Sequence, residues 1–222
     1  MTRKKIRLVV CDWNGMLLAD THACYLADCH VIHSFGGTPP ALNEYRDKII
    51  IPAINFYEQF GCNRKEMLER SQYLGEIFHT FYESKVTRCR TRKGARTILT
   101  LLKQVGIEGI ILSNHTNSGI RIQLQRLKIE GFFREVLGND AGETSMLRQA
   151  KGERLSAYLK KTGIQPEESV IIGDSPEEAE IGKRLGIMSI LITGGYYATW
   201  RLQKANPDHI ISNLLELKDI II

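Results

Sequence analysis

The chain has 222 residues, 43% of them hydrophobic and 25% charged, with a formal net charge of +5, values that are ordinary for a soluble globular protein. No dense Lys/Arg cluster with interleaved aromatic residues occurs, which argues against nucleic-acid binding, and no apolar run approaches the length of a membrane span. The five dispersed cysteines predict free thiols in a reducing cytoplasm rather than disulfides or a metal site.

The first predicted element is a buried strand over Ile6–Cys11, followed by the stretch Asp12-Trp-Asn-Gly-Met. Asp12 lies where this strand leaves the sheet, and ligands bind at the carboxyl ends of the strands in open α/β sheets. Gly15 allows a sharp turn and a close approach of backbone N–H groups to a ligand. Asp12 is therefore a candidate nucleophile or metal ligand, and a helix N-cap is the alternative interpretation.

The region from about 18 to 87 contains no convincing strand and is predicted to be helical. The predicted helices are His22–Phe35, Leu42–Lys48, Ala53–Phe60 and a long helix that Asn63 caps and that runs to about Glu83. We therefore predict an all-helical cap domain over 18–87. It is inserted after the first strand of an α/β core that comprises 1–17 and 88–222.

The second half of the chain alternates strands and helices, which predicts a parallel sheet with helices on both faces. The predicted strands are Gly109–Leu112, Arg134–Gly138, Ser169–Gly173, Met188–Thr193 and the short edge strand His209–Ile211. The predicted helices are Asn117–Leu127, Gly152–Thr162, Pro176–Leu185 and a last helix that begins at Asn213.

Polar residues follow three of the predicted strands. Asp12, Ser113-Asn114 and Asp174 each end a strand, and Lys151 precedes a helix. Because the carboxyl ends of parallel strands meet at one edge of a sheet, we expect one pocket with two acids, a hydroxyl and an ammonium group. A Mg²⁺ ion between Asp12 and Asp174 would relieve the repulsion between a carboxylate and a phosphate. Ser113 and nearby backbone N–H groups would hold the phosphoryl oxygens.

With these motifs in this order, the chain resembles the haloacid dehalogenase superfamily of hydrolases, in the branch similar to phosphoglycolate phosphatases and β-phosphoglucomutases. The resemblance covers essentially the whole chain. It implies a doubly wound sheet with an inserted helical cap. It also implies a cytoplasmic, Mg²⁺-dependent phosphatase of small phosphorylated metabolites, which we expect to be a monomer or a homodimer.

The resemblance assigns a role to each residue of the predicted pocket. Asp12 is implied as the nucleophile that forms an aspartyl phosphate. Asp12, Asp174 and the backbone carbonyl of Asn14 are implied as the metal ligands. Ser113 is implied as a ligand of the phosphoryl group, and Lys151 as the catalytic group that neutralises its charge.

The chain departs from the first motif of the family, D-x-D-G-T, at Asn14 and Met16. The Asp that Asn14 replaces is the general acid/base of the family, and its loss typically costs a factor of about 10²–10⁴ in rate. Three outcomes stay open: a phosphatase that is slow or restricted to good leaving groups, a hydrolase of another bond, and a phosphometabolite-binding protein without turnover. A phosphonate-cleaving branch would need a desolvated cap lysine, for which Lys48 and Lys65 are the candidates.

Further residues are candidates for substrate contacts beside Ser113, Asn114 and Gly15. His115 directly follows Asn114, and we hypothesise that its imidazole replaces the missing acid/base, with a surface or capping histidine as the alternative. Arg46 lies in the first half of the predicted cap. Its planar fork suits a carboxylate or a second phosphate, and an exposed helix arginine is the alternative.

Overall fold

The computed structural model describes residues 5–139 and 150–222. Residues 1–4 and 140–149, which belong to the predicted α/β core, lie outside the described residues. Within the described ranges, no helix combines the length and the apolar character that crossing a membrane requires.

The described residues form six strands and eleven α-helices that follow one another along the chain. The strands are β1 (Leu8–Cys11), β2 (Glu108–Thr116), β3 (Glu135–Asn139), β4 (Ser169–Gly173), β5 (Met188–Ile192) and β6 (His209–Ile211). The helices are α1 (Thr21–Ser34), α2 (Leu42–Lys48), α3 (Ala53–Glu58), α4 (Arg64–Glu69), α5 (Ser71–Val86), α6 (Ala95–Gln104), α7 (Asn117–Arg126), α8 (Lys151–Thr162), α9 (Pro176–Leu185), α10 (Thr199–Lys204) and α11 (Leu217–Ile221).

The six strands form one sheet in the order β3-β2-β1-β4-β5-β6, and every neighbouring pair is parallel. The central strand β1 therefore lies between β2 and β4. Because all strands run in one direction, their carboxyl ends share one edge of the sheet. This arrangement confirms the predicted α/β fold with a parallel sheet.

The central strand alternates its side chains between two hydrophobic clusters, as the period of two in a strand requires. Val9 and Cys11 pack in one cluster with residues of α6, α7 and α11. Leu8 and Val10 pack in a second cluster with residues of α8 and α9. Helices therefore cover both faces, and the sheet is doubly wound.

The five helices α1–α5, called here the helical insert (21–86), separate β1 from α6 and β2. They contribute Tyr45, Phe56 and Tyr57 to a third hydrophobic cluster, which also contains Ala179 and Leu191 of the sheet domain. The insert and the sheet domain therefore share buried apolar surface. All five helices lie within the predicted cap 18–87, and the exact domain boundaries stay a prediction.

Two of the predicted elements differ clearly from the structure. The long helix predicted from Asn63 to about Glu83 is two helices, α4 and α5, which meet at Arg70. Asn63 does cap α4, because its side chain accepts a hydrogen bond from Glu66 N at 3.0 Å. Strand β2 extends through Thr116, so the polar residues after Leu112 lie in its carboxyl-terminal part.

Candidate active site

A cavity of about 170 Å³ lies where β1, β2 and β4 end. Its lining includes most of the predicted site: Asp12, Asn14, Ser113, Asn114, His115, Lys151 and Asp174. The structure therefore brings the residues predicted at three strand ends, and the lysine that begins α8, to one place. Gly15 and Arg46 are outside the residues that line this cavity.

Lys151 is the central cation of the cavity and is only 3% exposed. Its Nζ lies 3.0 Å from Asp12 Oδ1, 2.6 Å from Glu178 Oε1 and 3.7 Å from Glu177 Oε2. Burial alone would lower the pKa of this ammonium group, but the three carboxylates hold it well above its usual value. Lys151 is therefore charged and ion-paired at neutral pH.

Glu178, four residues after Asp174, stands where the resemblance implies an Asp, and it positions Lys151. Its Oε2 accepts hydrogen bonds from Ser175 Oγ at 2.8 Å and from Ser175 N at 3.3 Å, which fixes the amino end of α9. Its Oε1 is then free to accept the bond from Lys151. The resemblance implies that Glu178 keeps the charge of that Asp and orients the metal site through water, whereas Glu177, in the same first turn of α9, was not predicted as a site residue.

Asp12 and Asp174 are buried carboxylates, and the pKa of each lies above its usual value. Burial raises the pKa of Asp12 to about 7 against the opposing charge of Lys151. Burial, together with the charge of Asp12, raises the pKa of Asp174 well above its usual value. Two such groups favour a bound cation, because a nearby positive charge stabilises both carboxylates.

The residues around Asp174 fit a magnesium ion. Its Oδ1 is buried and accepts no hydrogen bond from the described residues, whereas its Oδ2 accepts one from Tyr196 N at 2.6 Å. A Cβ atom on Gly15, whose φ is +71°, would lie 2.2 Å from Asp174 Oδ2, and one on Gly195 would lie 2.0 Å from it. Both glycines therefore leave the space that this carboxylate needs.

The candidate metal ligands would be two carboxylates and a backbone carbonyl. In the described part of the chain, no group of three or more His, Cys, Asp or Glu side chains is arranged for a metal. Mg²⁺ commonly takes only one or two carboxylates and completes its shell with carbonyl, water and phosphate oxygens. Asp12 and Asp174 provide two carboxylates of this type, and Asn14 provides a backbone carbonyl.

The side chain of Asn14 is held by a buried acid that the sequence did not identify. Its Nδ2 donates to Asp20 Oδ2 at 2.6 Å and to Tyr82 Oη at 2.9 Å. Asp20 is fully buried and also accepts bonds from Tyr82 Oη at 2.6 Å and from Gly15 N at 2.8 Å. The Asn14 amide oxygen is thereby turned toward Ser113 Oγ, at 3.4 Å, and can only accept a hydrogen bond there.

His115 lies beside this group as a neutral imidazole. Its side chain is 9% exposed, and its ring stacks on that of His79 with centroids 6.1 Å apart. Burial, with a smaller effect from His79, lowers the pKa of His115 to about 4. An imidazole that is already deprotonated at neutral pH cannot donate an acidic proton to a leaving group. Of the hypothesised acid/base role of His115, only the role of a base therefore remains.

The predicted lysine and arginine residues of the insert lie away from the cavity. Lys48 pairs with Glu44 at 2.8 Å and is 43% exposed, and the side chain of Lys65 is 86% exposed. Neither is desolvated, as a Schiff-base lysine has to be. Arg46 Nε donates to the Gly195 carbonyl at 3.3 Å, and its contact with a substrate stays a prediction.

Comparison with known proteins agrees with the fold. Residues 9–192 match the model of the haloacid dehalogenase-like hydrolase family. A phosphoglycolate phosphatase of Vibrio vulnificus is 23% identical over an alignment of 228 positions, which covers 100% of this chain and 99% of that protein. One of Pseudomonas fluorescens is 23% identical over 215 residues, 95% of this chain and 78% of that protein.

Solved structures resemble the chain over nearly its whole length. A predicted phosphatase from Clostridium acetobutylicum superposes with a TM-score of 0.82 at 17% identity, covering 98% of this chain and 99% of that one. A predicted phosphoglycolate phosphatase from Haemophilus somnus superposes with a TM-score of 0.80 at 16% identity, covering 99% of both chains. At these identities the similarity shows a shared fold.

Proposed function

The chain belongs to the haloacid dehalogenase-like hydrolase family and is a phosphatase-type hydrolase, and we propose that it is Mg²⁺-dependent and acts through an aspartyl phosphate on Asp12. The observation that carries this proposal is the pairing of two buried carboxylates at one cavity. Asp12 accepts a hydrogen bond from Lys151, and Asp174 Oδ1 accepts none from the described residues. Such a site supports nucleophilic attack on a phosphoryl group.

The proposed reaction has two steps. In the first, an Asp12 carboxylate oxygen attacks phosphorus, the bond from phosphorus to the ester oxygen breaks, and the alcohol leaves with that electron pair. In the second, water attacks phosphorus, a proton passes to solvent, and inorganic phosphate and the Asp12 carboxylate are released. Lys151 neutralises charge on the phosphoryl oxygens, and Ser113 Oγ donates to one of them.

A Mg²⁺ ion held by Asp12, Asp174 and the Asn14 carbonyl would supply further positive charge at the phosphoryl oxygens. The protein's own contribution to proton transfer is small, because the Asn14 side chain presents only an acceptor toward Ser113. The alcohol therefore leaves as an anion that solvent protonates. We accordingly propose that esters with acidic leaving groups react faster than alkyl esters.

The cavity of about 170 Å³ supports a small phosphorylated metabolite as the substrate. The relatives named above are phosphoglycolate phosphatases, so phosphoglycolate is one ester to test. We also propose that the protein is a monomer or a homodimer.

The proposal is tested with a panel of phosphomonoesters, including an aryl phosphate, in the presence of Mg²⁺. We expect turnover of the aryl ester, its loss on chelation, and a decrease of at least about 10⁴-fold in the Asp12→Asn variant. The exposed Asp219→Asn variant is the matched control and should keep its rate. Unchanged turnover in Asp12→Asn would contradict the proposal, and saturable binding without turnover would favour a binding protein.

A further inference from the structure

The wall of the cavity that faces the phosphoryl centre from the helical insert carries a buried carboxylate. Asp28, on α1, lines the cavity and is only 4% exposed. Its Oδ1 accepts a hydrogen bond from Tyr57 Oη at 2.7 Å, and its Oδ2 accepts one from Tyr45 Oη at 2.8 Å. Cys24 Sγ donates a weak bond to the same Oδ2 at 3.6 Å. Helices α1, α2 and α3 thus converge on one acid.

The charge of Asp28 has no cationic partner in the part of the chain that the structure describes. Among the described residues, no Lys, Arg or His lies within ion-pair distance of it, in contrast to Asp12. A carboxylate offers about four acceptor positions, so the three donors leave one of them for a ligand. Burial raises the pKa of Asp28 to about 6, which leaves the group mostly ionised at neutral pH.

Aromatic rings line the cavity, and two of them contact Asp28. The lining includes Tyr45, Tyr57, Phe78, Tyr82, Tyr196 and Tyr197, of which Tyr45 and Tyr57 donate hydrogen bonds to Asp28. The faces of aromatic rings attract ammonium groups, and the attraction is stronger where water is excluded. A carboxylate within a group of phenol rings is therefore suited to a positively charged ligand.

Among the described residues, this wall offers no cationic partner to a negatively charged leaving group. Lys151 is occupied by Asp12, Glu177 and Glu178 on the opposite side. Burial lowers the pKa of the lining histidines, His79 and His115, so both are neutral at pH 7. The part of the lining that the structure describes contains no further Lys or Arg.

Resting on the phosphatase activity proposed above, we propose that the substrate is a phosphomonoester whose alcohol carries an ammonium group. The phosphate is placed at Asp12 and Lys151, and the ammonium group is held by Asp28, beside the hydroxyl groups of Tyr45 and Tyr57. The same arrangement disfavours an alcohol with a carboxylate, because Asp28 would repel it. Charge selectivity would then separate this chain from the phosphoglycolate phosphatases that it resembles.

The helix geometry sets the span that such an ester has to bridge. Cys24 and Asp28 lie on one face of α1, and Asp20, four residues before Cys24, is the N-cap residue of the same helix. At 1.5 Å per residue, Asp28 lies about 12 Å along the helix from Asp20, which contacts Asn14. The ester has to span the distance between side-chain atoms, which is shorter than this distance between backbone positions. The test therefore uses alcohols of two lengths.

The experiment compares kcat/KM for esters matched in size and different in charge. The ammonium esters are 2-aminoethyl and 4-aminobutyl phosphate, the uncharged ones are propyl and pentyl phosphate, and the anionic one is 2-phosphoglycolate. We expect the better ammonium ester to exceed its uncharged counterpart at least about tenfold and 2-phosphoglycolate about hundredfold.

A near-isosteric variant isolates the role of Asp28. In Asp28→Asn, the ratio of kcat/KM between the ammonium ester and its uncharged counterpart should fall to about one. Glu44→Gln removes a negative charge from an exposed ion pair of the insert and should keep the wild-type ratio. A thermal melt of both variants checks that they are folded. A ratio that survives in Asp28→Asn would overturn the inference.

Calorimetric binding separates this inference from the proposed function. If no ester of any charge is hydrolysed, the phosphatase proposal fails, and the Kd values of 2-aminoethyl phosphate and 2-phosphoglycolate then test the charge preference directly. At least about tenfold tighter binding of 2-aminoethyl phosphate, lost in Asp28→Asn, would support the inference. Equal rates and equal affinities for cationic, neutral and anionic esters would overturn it.

Discussion

The two walls of the cavity handle buried charge in opposite ways. On the wall formed by the strand ends, Asp12 is bonded to Lys151, and Asp174 keeps an oxygen that accepts no hydrogen bond from the described residues. On the wall formed by the insert, Asp28 is surrounded by phenols and lacks an ion-pair partner among the described residues. In the proposed reaction, the first wall receives the phosphoryl group, and the second presents a negative charge to the leaving alcohol of the substrate.

The difference also concerns how each wall is built. The strand-end wall lies at the edge of a six-stranded parallel sheet, and its acids follow β1 and β4 directly. The insert wall is assembled from three short or medium helices, which bring Asp28, Tyr45 and Tyr57 together. Substitutions on the first wall should therefore affect the rate for every ester, whereas those on the second should affect the choice among esters.

Among the changes that compare the two walls, the largest expected effect comes from breaking the ion pair of the strand-end wall with Lys151→Met. The change leaves Asp12, Glu177 and Glu178 without their shared cation, and removing one partner of a buried pair typically costs about 3–5 kcal/mol. We expect lower stability and a decrease in kcat of about 10²–10³-fold for all esters alike.

Urea denaturation and steady-state kinetics would check both effects of Lys151→Met. Lys160→Met, at an exposed position of the same helix, is the matched control and should change neither quantity by much. A variant at Lys151 with wild-type kcat would remove this residue from the proposed chemistry.

A smaller effect is expected in the pH dependence of stability, and it comes from the insert wall. Burial raises the pKa of Asp28 from 3.8 to about 6 in the folded protein. The unfolded chain thus releases this proton first and binds fewer protons between pH 4 and 6, so the stabilising contribution falls as pH rises through that window. The shift corresponds to about 3 kcal/mol.

The measurement is the difference in unfolding free energy between wild type and Asp28→Asn at several pH values from 4 to 7. Other buried acids, such as Asp12 and Asp20, are present in both proteins, so their contributions largely cancel. We expect the wild type to lose stability relative to the variant as pH rises. Parallel curves would mean that the pKa of Asp28 in the folded protein equals its usual value. They would contradict the view that the insert wall holds a buried charge without an ion-pair partner.

The strand-end wall could be predicted from the sequence, because position along a strand determines position in a parallel sheet. Asp12 and Asp174 directly follow apolar runs, and Ser113 lies near the end of another. Lys151 was harder to place from the residues alone, since nothing in its own surroundings distinguishes it from a surface lysine. Its burial depends on the packing of α8 beside β1 and on three acids from other segments.

The insert wall could not be predicted in the same way. Asp28, Tyr45 and Tyr57 come from three helices, and the amphipathic pattern of a helix does not specify the angle at which it meets the next one. Helix α6, in contrast, could have been predicted from the sequence although it was not. Its buried residues recur at helical spacing, and they are Ala95, Ile98, Leu99 and Leu102. Local periodicity therefore gives the elements, whereas the convergence of side chains from several helices requires the tertiary structure.

The smallest expected effect concerns Asn14, which lies between the two walls. Its Nδ2 donates to Asp20 Oδ2 at 2.6 Å, so Asn14→Asp would place a second carboxylate against a buried one. Like charges at this distance raise the pKa of one member, and the pair would hold a proton near neutral pH. We expect kcat/KM for alkyl phosphates to rise about tenfold and that for aryl phosphates to change less, because only the alkyl leaving group needs the proton.

The double change of Asn14→Asp with Asp20→Asn sharpens this prediction, because it exchanges the two side chains and keeps a hydrogen bond between them. The carboxyl at position 14 would then accept that bond as an anion, so its pKa would be lower than in the single variant. The rate of alkyl ester hydrolysis should consequently fall off at a lower pH in the double variant than in the single one. Equal gains for alkyl and aryl esters in Asn14→Asp, or identical pH profiles for the two variants, would contradict this explanation. The explanation is that Asn14 limits the reaction only because it cannot donate a proton to the leaving group.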